Sequence, residues 1–230
     1  MSPSPQQAIV IGAGSGIGRS LALRLAKENF DLALLARNTG HLELIAEEVR
    51  ATGRSAVTVS CDAADPEAVA ATVASLAQRA PTGVLTYNAA AMGGRLIDTD
   101  PETLQRATNV NVLSPIAAVR AALSGLEHTQ GTVLLTGGGL ALHPNAAIGV
   151  LSLGKAGLRT VAHLLADDLA PRGVRVRTLI ITGIVAPGGP FDPDTIADAF
   201  WALQADPDAD VERVFSGEAE KSSLREQERT

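Results

Sequence analysis

Ala8-Ile9-Val10-Ile11-Gly12-Ala13-Gly14-Ser15-Gly16-Ile17-Gly18-Arg19 is the stretch on which the rest of the chain is organised. Its short β-branched run predicts a buried strand. The run breaks into a glycine-rich turn, and Leu21 and Leu25 with their alanine neighbours begin a helical pattern. Strand, glycine turn and helix start are the parts of a dinucleotide phosphate site: glycines let the backbone approach a pyrophosphate, and a helix N-terminus offers free N–H groups and a positive dipole end. Gly12, Gly16 and Gly18 follow a G-x-x-x-G-x-G spacing, with Gly14 inside it. A tight βα turn without a ligand is the alternative, and the context on both sides is the one the motif requires.

The bulk numbers fit a single large α/β layer structure of 230 residues. Apolar residues make up 46% and aromatics 3%, so the core is expected to be aliphatic. A net charge of −6, with no basic run, argues against a nucleic-acid surface. Cys61 is the single cysteine, which leaves no internal disulfide and no Cys cluster for a metal; no metal site is expected, and a cytoplasmic location fits. No run approaches the ~18 apolar residues of a membrane helix.

From residue 8 the pattern alternates strand and helix. Strands are predicted at 8–12, 31–36, 55–60, 84–87, 132–136 and 174–181, with a last short one at 211–215. Helices are predicted at about 16–29, 39–52, from Asp65-Pro66, from Pro101 to about 124 with a break near Ser114-Pro115, and at 150–170 and 194–204. Repeated βα units with near-continuous apolar strands imply an α/β fold: a doubly wound parallel sheet with helices on both faces, three layers in all. One domain over 8–215 is expected, between a flexible leader at 1–7 and a disordered, charged tail at 216–230.

Over residues 8 to about 205 the succession of motifs resembles the short-chain dehydrogenase/reductase family, a Rossmann-like fold. Gly12–Gly18 resembles its phosphate motif, with Ile11 where the family has Thr. Tyr87-Asn88-Ala89-Ala90 resembles its Asn-Asn-Ala-Gly segment, Asn111 its helix asparagine, and Lys155 the lysine of its Tyr-x-x-x-Lys motif. The resemblance implies a nicotinamide dinucleotide held by Gly12, Ser15, Gly16, Ile17, Gly18, Asn88 and Lys155, with Asp62 at the adenine. After the second strand a carboxylate suits the ribose hydroxyl of NAD and a cation the 2′-phosphate of NADP. Arg37 stands there, so NADP(H) is favoured over NAD(H). Arg19 is either a second phosphate contact or a surface residue. A homodimer or homotetramer through the helices at about 101–124 and 150–170 is implied as well.

The resemblance breaks at the catalytic group. Gly138 stands at the family's Ser position and Leu151 at its Tyr position, and neither side chain can donate a proton. Asn111 and Lys155 remain. His143 is a candidate proton donor in the loop bordering the pocket in relatives, or a solvated histidine braced by Pro144. Three readings follow: an oxidoreductase acting on a small carbonyl or alcohol with a non-standard proton relay, a dinucleotide-binding sensor or partner subunit that has lost catalysis, and a non-redox lyase or isomerase.

Overall fold

The structure, a computed structural model, describes residues 6–217. Seven strands form one parallel sheet: β1 (Gln7–Ile11), β2 (Asp31–Ala36), β3 (Ala56–Ser60), β4 (Thr82–Tyr87), β5 (Thr132–Gly138), β6 (Arg175–Ile181) and β7 (Glu212–Phe215). They are ordered β3-β2-β1-β4-β5-β6-β7. Seven helices connect or flank them: α1 (Ile17–Lys27), α2 (Thr39–Ala51), α3 (Pro66–Ala77), α4 (Pro101–Thr108), α5 (Ser114–Thr129), α6 (Gly149–Leu169) and α7 (Pro193–Ala205). The Rossmann-like three-layer fold read from the sequence is the fold observed.

The apolar strand runs have a direct cause. Side chains alternate between sheet faces, so a strand covered on both sides must be apolar at every position. In β1, Ala8 and Val10 face α1, α2 and α7, packing with Leu21, Leu25 and Phe200. Ile9 and Ile11 face α3, α5 and α6, packing with Val73, Leu126 and Leu158. Each such aliphatic side chain contributes about 1.5–3 kcal/mol on burial. Helix starts are equally local: Asp65 and Asp100 accept first-turn N–H groups ahead of Pro66 and Pro101.

One boundary differs from the sequence reading. Gln7, assigned to a flexible leader, is the first residue of β1 and is buried. Its amide donates to Leu76 O (3.1 Å) and Ala80 O (3.3 Å), which ties the strand to the end of α3. The tail expected from 216 falls, from residue 218 on, outside the described residues, as do residues 1–5 of the leader. The break in the long helix is a wide π turn over Asn109–Leu113, in which the Ser114 N–H donates to Asn109 O. Pro115 has no N–H to offer the Asn111 carbonyl four residues back, so the ordinary ladder cannot run through this point. Among the described residues no helix is long and apolar enough to cross a membrane.

Candidate active site

All seven strands point their carboxyl ends to one rim, and the candidate residues lie along it. At the end of β1, Gly12 has φ +84°. Its N–H donates to Leu35 O at 2.8 Å, and its carbonyl accepts from Asn88 Nδ2 at 2.9 Å. A Cβ at residue 12 would collide with the Ala89 backbone, and one at Gly18 with the Gly12 carbonyl. These two glycines are demanded by the protein itself. Gly14 and Gly16 are different, because no atom lies within 4 Å of the Cβ either would carry. Ser15 is exposed between them, and Ile17 opens α1 and packs on the core. Helix α1 has no side-chain cap at its N-terminus, so its dipole end faces the turn bare.

Beside this turn is a cavity of about 660 Å³, walled by the ends of β1, β2, β3 and β4 and by α4. Arg37 stands exposed at its edge. Asp62 accepts the Ala64 N–H at 3.0 Å on Oδ1 and pairs through Oδ2 with Arg106 Nη2 at 3.2 Å. The Ala64 N–H, then Arg106 and Arg37, hold its carboxyl below the ordinary carboxylate range. Arg106 was not singled out in the sequence: its partner lies 44 residues away, and no local spacing announces such a pair. Arg19 does not reach this cavity, because its guanidinium is bidentate on Glu48.

The second cluster lies where β5 meets α6. Asn111 is buried in the π turn, where Oδ1 accepts the Ala91 N–H (3.1 Å) and Nδ2 donates to Ala91 O (3.2 Å). Lys155 Nζ donates to Thr136 O at 2.7 Å. Its stem crosses Gly138 so closely that a Cβ there would sit 3.3 Å from Cε. Loss of hydration lowers the amine to about 8. Leu151 is buried, and Ser152 Oγ is engaged with Asn145 and Ile148. Tyr87 is buried with its hydroxyl on Val110 O at 2.5 Å, and burial raises its pKa. His143 is exposed and does not line the cavity. The structure therefore groups the glycine turn, Arg37, Asp62 and Asn88 around one cavity and groups Asn111, Gly138 and Lys155 near α6, while His143 is exposed on the loop beyond Gly139, whose carbonyl accepts its N–H at 2.9 Å.

Comparison with known proteins agrees with this geometry. The family model described as short chain dehydrogenase matches residues 6–189. An uncharacterised oxidoreductase of Mycobacterium tuberculosis (strain CDC 1551 / Oshkosh) is 36% identical over 181 residues, covering 75% of this chain and 66% of that protein, just under two thirds of its length. A metagenomic short-chain oxidoreductase solved in complex with NADP superposes with TM-score 0.81 at 27% identity, covering 93% of this chain and 98% of that one. A short chain dehydrogenase from Burkholderia cenocepacia J2315, also in complex with NADP, gives 0.82 at 26%, covering 92% and 96%. A doubly wound sheet with an open glycine turn at its rim defines a dinucleotide-binding class of protein. Within that class the chain belongs to the short-chain dehydrogenase/reductase family.

Proposed function

We propose that this protein is an NADP(H)-dependent oxidoreductase acting on a small carbonyl or alcohol. The observation that carries the reading is the open side of the turn: Gly14 and Gly16 leave clear the space a pyrophosphate needs, above the bare N-terminus of α1. Gly12, Ser15, Gly16, Ile17, Gly18 and Asn88 would hold the dinucleotide, with Asp62 toward the adenine. Arg37 would hold the 2′-phosphate, for which its guanidinium is the suitable cation. The bound nicotinamide supplies hydride chemistry.

The chain's own part is to orient the reactants and to handle one proton. Asn111 braces the Ala91 segment, and Gly137–Gly139 keep side chains away from the carbonyl. At the corner where Gly138 and Leu151 offer no hydroxyl, Lys155 is the group with a transferable proton, and an amine titrating near 8 can hold or release it at working pH. His143 has no role in this reading. A homodimer or homotetramer built through α4, α5 and α6 is part of it, supported by the half-exposed Leu113, Leu153 and Leu164. A cytoplasmic setting is also part of it, supported by the single cysteine.

Gly138 and Leu151 favour a second reading, a dinucleotide-binding subunit without turnover. Titration with NADPH and NADH followed by fluorescence, then a screen of carbonyl probes with bound NADPH, separates the two. Selective NADPH binding with turnover supports the oxidoreductase. Binding without turnover favours the subunit, and no binding of either dinucleotide overturns both.

A further inference from the structure

Arg106 has no part in the reading above, yet it lines the same cavity as Asp62 and Arg37. It projects from α4 with Thr103 and Ala107, and Val110 of the π turn continues the same i, i+3, i+4, i+7 face. Around them the wall is small and apolar, with Ala63, Ala64 and Ala36 leaving a slot rather than a filled core. No aromatic side chain lines the cavity, so a purine entering it finds no ring to stack on. A guanidinium is planar and delocalised and stacks on nucleobases as an aromatic ring does.

We propose that Arg106 is an adenine-binding residue, its guanidinium anchored on Asp62 and closing over the exposed face of the purine. This deepens the dinucleotide reading and rests on it. The anchor is suitable on three counts. The 3.2 Å contact to Asp62 Oδ2 holds the guanidinium at the cavity edge. The side chain is more than half exposed, so the pair is weak enough to reorient around a ligand. Asp62 retains acceptor capacity beyond its bonds to Ala64 and Arg106, and can also take an exocyclic amine. Arg106 then acts on every adenine dinucleotide, whereas Arg37 acts only on those with a 2′-phosphate.

The test is fluorescence titration of the wild type, Arg106→Ala and Arg106→Lys with NADPH, NADH and ADP-ribose, with thermal melting to show that each variant is folded. Arg106→Ala is expected to weaken all three ligands by a similar factor, about tenfold, the effect of losing one stacked base contact. Arg106→Lys keeps a charge for Asp62 but loses the planar face, and is expected to fall with alanine. Unchanged or tighter binding by Arg106→Ala overturns the proposal. So does weakening of NADPH alone, which marks a phosphate contact, and so does full rescue by lysine, which marks a mere charge partner. If the wild type binds neither dinucleotide, the underlying reading fails first and this one with it; binding by the wild type with an indifferent Arg106 removes this proposal alone.

Discussion

At Arg37 one side chain carries the distinction between two cofactors. It stands where β2 ends, exposed beside a cavity whose other charged walls are Asp62 and Arg106. Exchanging it for a carboxylate replaces a phosphate partner with a ribose-hydroxyl acceptor and adds repulsion against a 2′-phosphate. Arg37→Asp is therefore expected to invert the preference, weakening NADPH by about 100-fold and strengthening NADH, as read from paired titrations. Lys155 gives a prediction of another kind. Its amine titrates near 8 in the folded chain and near 10.4 when unfolded. Below pH 8 both states carry the proton, and the enclosed charge costs stability in full. As pH rises from 8 the unfolded chain binds more protons than the folded one, so stability climbs, by up to about 3 kcal/mol at completion. Two buried groups act oppositely because burial raises them, the Cys61 thiol within the same range and Tyr87 above its ordinary value, so the lysine's share is the difference between wild type and Lys155→Met. Urea midpoints from pH 8 to about 10 are expected to rise for the wild type relative to Lys155→Met.

At the scale of elements, the π turn between α4 and α5 is the piece that sets the second cluster. Asn111 reaches from it to both backbone groups of Ala91, and Gly154 of α6 presses so close that any Cβ there would strike the Asn111 amide. Asn111→Ala strands the N–H and C=O of Ala91 and is expected to cost about 2–3 kcal/mol in urea unfolding. The strands were legible because burial on both faces writes itself as an uninterrupted aliphatic run, and the start of α3 because Asp65-Pro66 supplies a cap and a fixed φ within two residues. The break near Ser114-Pro115 was legible from the proline, but not its form, since a π turn depends on where the freed carbonyl of Asn111 settles. The Arg106–Asp62 pair and the Lys155 seat on Thr136 had no local signature, because each joins segments distant in sequence. His143 stays exposed beside the second cluster, its backbone N–H on the Gly139 carbonyl.

Across the whole molecule, α4, the π turn and α6 present an apolar strip outward. Leu153 is half exposed at a groove formed with Val112, Val150 and Gly157. If copies pair through this strip, Leu153→Glu places a charge in the contact and is expected to shift the light-scattering mass to that of a monomer, while NADPH binding persists. The sheet order has a consequence for synthesis. β1 lies in the middle, joined to β2 on one side, but its other edge waits for β4, where Ile11 pairs with Tyr87. Because the chain leaves the ribosome from its N-terminus, β1, β2 and β3 emerge before β4 does. Until then the half-sheet shows an apolar, unpaired strand edge to its surroundings, the kind of surface on which nascent chains stick to one another. The strand that ends in the phosphate turn thus needs shelter during birth, and the interval before β4 emerges is when its edge stands unpaired.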